Sequence, residues 1–332
     1  MREPARMDEI PGAEARSPAH IPAAGWLQIG RRVVREVRQD HLSLIAAGMA
    51  FFALLATFPA LTLLVAIYGL LADPTTIQEQ ISVLRPLLPR NAFDLIADQL
   101  ESLLASPTST HGLGVVVGLL LLLWGSASGI QTLIKAVNLA YDEEETRSYF
   151  RLRALALALT LGALVFLLVS LSGLALLPTL LASLGLDDAT TELLMMVRWP
   201  LLGVVFLGSL AVVYRLAPDR RAPKWRWVTL GSVAALIVWL AGSGLFSLYV
   251  RTFGRYSDTY GALGAAIVLL LWFYLSAFAI LLGAEINAET EHQTAEDSTI
   301  GPDRPLGQRR AWMADSRPQH GGESEPVTLP KE

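Results

Sequence analysis

Trp124, Ser128, Gln131, Lys135 and Asn138 recur at i, i+4, i+7, i+11 and i+14 in an otherwise apolar stretch. On a helix they fall within about 80° of the circumference. Polar groups inside an apolar span turn toward protein or water, because an unpaired polar group in hydrocarbon costs several kcal/mol. The stripe is therefore expected to face the bundle interior or a cavity. Lys135 lies roughly 33 Å along the helix from Leu113, near the membrane boundary. Two readings of it stand side by side. Lys135 snorkels while its neighbours make interhelical hydrogen bonds, or the stripe lines a cavity and Lys135 holds an anionic headgroup or substrate. Glu285 is a candidate partner for Lys135. Glu285, Glu289 and His292 also share a helical face at metal-ligand spacing, but a solvated acidic helix end is the simpler expectation. No metal, cofactor or catalytic residue is assigned.

Hydrolytic chemistry finds little support. His20, His41, His111, His292 and His320 are scattered, with no HxH or HExxH spacing. No acidic pair sits inside the apolar stretches to hold Mg²⁺. Neither GxxxxGK[ST] nor GxGxxG occurs in a strand–helix context. GSASG, residues 125–129, matches G-x-S-x-G, but it lies within a span rather than at a strand-to-helix turn. The chain has no Cys, which removes disulfides, thiolate ligands and thiol nucleophiles. No nucleic-acid partner is expected.

The elements that must carry the stripe are membrane spans. The 332 residues are 53% hydrophobic and 17% charged, with mean hydropathy +0.45. That balance predicts an all-α polytopic membrane protein. Spans are expected at about 42–71, 112–141, 152–184, 193–216, 227–250 and 260–284, since about 20 apolar residues cross the hydrocarbon core. Between the first two, residues 75–106 carry Ile77, Ile81, Leu84 and Leu88, then Phe93, Ile96, Leu100 and Leu103, at helical spacing broken by Pro86 and Pro89. They read as an amphipathic helical hairpin at the membrane surface. Small residues form seams where helices approach closely. Ala46, Ala50, Ala53, Thr57 and Ala60 mark one. Gly231, Ala235 and Gly242 mark another. Gly261, Ala265, Trp272, Ser276, Ala279, Gly283 and Asn287 mark a third. Asp258 and Tyr260 are placed to cap the last span.

Residues 26–292 form the predicted membrane domain. Residues 1–25 and 293–332 are polar and read as disordered tails, and no apolar leader segment is visible in the first. From Trp26 to Arg38, Trp26, Ile29, Val33 and Val37 share one face and Arg31, Arg35 and Arg38 another. The pattern suits a helix lying on an anionic leaflet, a soluble docking helix being the alternative. Of the 26 Lys and Arg, 21 fall in segments on one side of a six-span arrangement. The positive-inside rule then places both termini in the cytoplasm.

Four segments together resemble the YihY/BrkB family of bacterial inner-membrane proteins, sometimes labelled ribonuclease BN. They are DHLSLIAAGMAFFALLATFPAL, WGSASGIQTLIKAVNLAYDEEETRSYFRLR, YRLAPDRRAPKWRWVTLGS and RYSDTYGALGAAIVLLLWFYLSAFAILLGAEINAE. The resemblance implies six spans, a link to envelope integrity and serum resistance, and a transporter activity. It carries over no catalytic residue. Within the shared motifs Trp124, Ser128, Asn138, Tyr214, Pro218, Tyr260, Gly261, Gly283, Glu285 and Asn287 stand out. The function expected is an inner-membrane transporter or lipid translocator, with membrane lipids as partners and an anionic lipid or small molecule as substrate. A non-transporting scaffold for envelope partners is the alternative, and a membrane-tethered ribonuclease the least favoured.

Overall fold

The computed structural model describes residues 10–71, 93, 97–98, 128–183, 188–253, 262–318 and 325–326. It is built from helices α1 (Ala23–Gln39), α2 (Leu42–Leu71), α3 (128–140), α4 (Tyr149–Ser183), α5 (Asp188–Leu216), α6 (Trp225–Phe253), α7 (Ala262–His292) and the short α8 (Trp312–Asp315). A two-residue antiparallel pairing, β1 (Ser316–Arg317) with β2 (Glu325–Pro326), is the one sheet among the described residues. The expected spans 42–71, 152–184, 193–216, 227–250 and 260–284 match α2, α4, α5, α6 and α7 to within a few residues, except that α7 runs on to His292. The hairpin at 75–106, the first part of the second span with Trp124, and Asp258, Tyr260 and Gly261 lie outside the described residues.

Four described helices are long and apolar enough to cross a membrane, and α1 with α2 makes a fifth as one bent pair. Their outward faces carry Leu161, Val165, Leu201, Val204, Ile237, Leu240 and Leu248, all exposed. A soluble protein would bury such rows; a membrane protein presents them to lipid. α7 is the hub, packing on α6, α2 and α1, while α5 joins α6 to α4. Gly129 of α3 abuts Phe52 of α2, and Ile134, Val137 and Tyr141 enter the same core as Leu42 and Ala46.

The α6–α7 contact explains the small-residue faces. A Cβ on Gly231 would overlap the Gly283 carbonyl and Asn287, and one on Gly283 would come within 2.6 Å of the Gly231 carbonyl. Only glycine lets the two backbones come this close. The Asn287 side chain accepts from Gly231 N–H at 2.7 Å and donates to the Val228 carbonyl at 3.2 Å. Trp239 Nε1–H donates to Ser276 Oγ at 2.9 Å, with Trp239 and Trp272 edge to face. From Trp272 to Asn287 the face read as a packing seam is one. On α2, Ala46 and Ala50 are likewise buried.

Two expectations are corrected. The segments read as disordered tails are folded over 10–22 and 293–318. Thr294 Oγ1–H donates to the Ala15 carbonyl at 2.6 Å, Ala295 N–H to Ala13 at 2.7 Å, and Gln293 Nε2–H to Pro11 at 2.8 Å. The 217–224 loop joins them: Arg221 N–H donates to Arg310 at 2.9 Å, and Lys224 N–H to Ser298 at 2.8 Å. The two tails and this loop form a cap. They look disordered in sequence because polar side chains, not an apolar stripe, hold them. Asp297 accepts from Thr299 and Arg304, and Arg309 donates to the carbonyls of Ala295, Glu296, Arg304 and Ala314. Second, the apolar face of α1 does not meet lipid. Ile29 and Val33 are buried against Leu282 and Ile286 of α7, because an apolar flank of α7 was there to be covered. α1 docks on the bundle, the alternative reading.

Candidate functional site

The polar stripe divides in two. α3 turns Ile134, Val137, Asn138 and Tyr141 inward, while Lys135 and Leu139 are exposed on its outer side. Ser128 and Gln131 are half-buried between them. The stripe as a whole does not face the interior: its arc straddles the edge where α3 leaves the core, so Asn138 falls inside and Lys135 outside.

Asn138 is a structural knot. Its Nδ2–H donates to Glu145 at 2.9 Å, and its Oδ1 accepts from Asp219 N–H at 2.7 Å. Glu145 in turn holds Arg147, whose Nη2–H donates to the Ala217 carbonyl at 2.6 Å. Thr146 donates to the Asp219 carboxylate from its backbone N–H and its hydroxyl, at 2.7 and 2.6 Å. Burial opposes ionisation of Asp219, but these bonds and the Arg147 guanidinium outweigh it and hold the carboxyl below its ordinary range. Asn138 thus ties the end of α3, the α3–α4 loop and the α5–α6 loop into one joint.

A second knot lies beside it. The Arg220 side chain is buried and forms a two-pronged pair with Glu291. Ser298 donates to the same carboxylate. Arg220 also lies 5.0 Å over the Tyr141 ring. Burial works against the Arg220 charge, and Glu291 more than restores it, raising its pKa. Glu143 accepts from Trp312 N–H at 2.7 Å. Burial pushes its carboxyl up to about 7, with Arg220 pulling the other way. Arg32 of α1 pairs with Glu289 of α7 and donates to Gln293 at 2.7 Å. Through these contacts, and with Leu42 of α2 packed in the same core as Tyr141 and Ala217, one end each of α2, α3, α4, α5, α6 and α7 meets at the capped pole.

Glu285 is buried and does not meet the exposed Lys135. Its Oε2 has no hydrogen-bond partner among the described residues. Glu289 is occupied by Arg32, and among the described residues no group of three or more His, Asp or Glu is arranged to hold a metal ion. The family positions Tyr214, Gly283 and Asn287 serve packing: Tyr214 O–H donates to the Ile280 carbonyl at 2.7 Å, joining α5 to α7. Sequence reasoning missed the buried Arg220 and the partly buried Arg147 and Arg32 as anchors, since a loop or helix face dense in Arg first reads as solvated and cytoplasmic. The repeated acids in DEEET and at Glu289 and Glu291 were the available signal.

Comparison with known proteins places the chain. Residues 33–307 match the family described as virulence factor BrkB. The chain belongs to this family. The ribonuclease-like protein YfkH of Bacillus subtilis is 34% identical over 73% of this chain and 88% of its own length. A UPF0761 membrane protein of Psychromonas ingrahamii is 26% identical over 81% of this chain and 90% of its own, and one of Vibrio vulnificus is 27% identical over 80% and 85%. No solved structure matches. The BrkB match runs past His292 to residue 307, so it takes in part of the cap as well as the bundle.

Proposed function

We propose that this BrkB-family membrane protein is a transporter of the bacterial inner membrane that moves an anionic lipid, and that it contributes to envelope integrity in this way. The observation that carries the reading is the contrast at the capped pole. The end-on route is filled by buried pairs, Arg220 with Glu291 and Arg32 with Glu289. Lys135 is exposed on the flank at the same end, one turn before the Asn138 joint. A soluble substrate would need the end-on route; an amphiphile arrives from the side. A flank lysine at headgroup depth offers it a point charge. The meeting of six helix ends at one pole supports six spans, and the Lys and Arg bias supports a cytoplasmic side for that pole and for both termini. The ribonuclease-like name belongs to the Bacillus relative.

The test is dithionite-accessible, fluorescent phosphatidylglycerol in proteoliposomes. Lys135→Ala and Gln131→Leu should slow its movement several-fold while the protein inserts and melts normally. Equal movement in both variants and wild type, or none above empty vesicles in any, would sink the reading. A specific observation favours the second reading, a non-transporting scaffold: the α6–α7 seam and the Asn138 joint are closely packed and leave nothing there to slide. That reading expects movement no faster than in empty vesicles, with loss of function confined to variants of the cap.

A further inference from the structure

The side of α1 that faces away from the bundle is left to find a partner. Ile29 and Val33 cover Leu282 and Ile286 of α7. Leu282 lies ten residues before His292, the capped end of a spanning helix, hence about 15 Å in from that end. α1 therefore lies along the flank of the bundle, level with the turns of α7 where its apolar run ends at Ala284 and Glu285, rather than on top of it, and it meets α2 at a bend of 62°. Its opposite face carries Leu27, Arg31, Val34 and Arg38 at i, i+4, i+7 and i+11, all exposed, with Leu27 at 66% and Val34 at 56%. These four fall within about 60° of the helix circumference. No acidic side chain shares that arc, since Glu36 points the other way.

We infer that this face of α1 is a docking surface for the headgroup region of an anionic phospholipid leaflet, with Leu27 and Val34 dipped into the acyl boundary and Arg31 and Arg38 on the phosphates. It is the reverse of the face that the apolar periodicity of α1 singles out. Two isolated leucine- and valine-sized side chains between arginines fit a wet, charged, half-apolar layer and fit neither bulk water nor hydrocarbon. The same level is marked elsewhere on the perimeter. Phe150 opens α4 exposed, and Trp225 opens α6 exposed with the Arg215 guanidinium 4.2 Å over its ring. Aromatics and cations at helix ends are the residues that settle at headgroup depth. Because Arg32, on the inner side of the same helix, holds Glu289 and Gln293, lipid held by the outer side anchors the cap's own support. The inference does not depend on lipid movement by Lys135.

The absence of cysteine makes the test clean. Nitroxide labels go on Leu27→Cys and Val34→Cys of the full chain in vesicles of phosphatidylethanolamine with and without phosphatidylglycerol, with Gln308→Cys in the cap as the aqueous reference. Power-saturation should show oxygen favoured over a water-soluble nickel relaxant at 27 and 34, and the reverse at 308. Labels at 27 and 34 as accessible to nickel as the one at 308 would overturn the inference. In parallel, phosphatidylglycerol retained on the purified protein is titrated. Arg31→Gln and Arg38→Gln should each weaken binding about fivefold, as expected for roughly one charge near the surface, and the Lys variants should restore it. Unchanged retention in the double Gln variant would also overturn it. Lys135→Ala should leave the label accessibilities at 27 and 34 as in wild type, which separates failure here from failure of the transport reading.

Discussion

Arg220 is a fully buried cation at the centre of the cap. A buried guanidinium costs several kcal/mol to desolvate, and its two-pronged bond to Glu291, the Ser298 bond to the same carboxylate and the Tyr141 ring are what repay it. Removing one partner strands the other charge. Arg220→Ala and Glu291→Ala should each lower stability by about 3–5 kcal/mol, and the double variant should lose clearly less than the sum, read by thermal unfolding in detergent. Arg220→Lys should not rescue, because an ammonium neither forks onto the carboxylate nor stacks on the ring. Tyr214→Phe makes the contrast. It keeps the packing and loses one hydrogen bond to Ile280, so about 1 kcal/mol is expected from the same measurement. Single additive losses at 220 and 291 would show that the pair is solvated and of little account.

At the scale of helices, glycine positions report which faces pack and which meet lipid. Gly231 has no room for a Cβ against the Gly283 backbone, whereas at Gly242 the obstacle is the end of the Leu275 side chain, 2.9 Å away. Gly208 and Gly244 have nothing within 4 Å. The expected order of stability loss is therefore Gly231→Ala well above Gly242→Ala. Gly244→Ala should be neutral or slightly favourable, since alanine gains up to about 1 kcal/mol of helix propensity. Loss at Gly231 should exceed the about 1–3 kcal/mol of ordinary overpacking, because a backbone cannot rotate away. Melting curves of the three variants check the order. The seam itself was legible in sequence because small residues at helical spacing have one strong use in lipid. The facing of α1 and α3 was not. α1 has two half-apolar sides, and periodicity names the better one without saying whether lipid or α7 will cover it. The α3 stripe spans an arc wide enough to straddle the core edge, so Asn138 and Lys135 part company although they sit on one stripe.

On the scale of the whole molecule, the bundle followed from composition and span length, and the cap did not. A segment such as residues 293–318 buries few apolar side chains and gains its order from Asp297, Arg309 and Asp315 bonding to nearby backbone, a kind of order with no period to read. Its dependence on carboxylates gives the cap a pH signature. Asp219 and Asp297 are held below their ordinary values, Asp297 by bonds from Thr299 and Arg304 that outweigh its burial. Such groups add stability above about pH 4 and lose it as pH falls through their lowered values. Glu143 acts with the opposite sign. Its carboxyl titrates at about 7 in the cap against an ordinary 4.5, so the folded state binds the proton more tightly and stability declines as pH rises between those two values. The cap should accordingly be most stable near pH 5 and soften toward pH 8. Glu143→Gln keeps a carbonyl to accept from Trp312 N–H and removes the ionisation, so it should flatten part of that decline while leaving the acid limb unchanged. Limited proteolysis between residues 293 and 318, followed from pH 4 to 8, reads both limbs. A cleavage rate that falls from pH 5 to 8 would reverse the sign assigned to Glu143 and place its carboxylate in water rather than beneath Trp312.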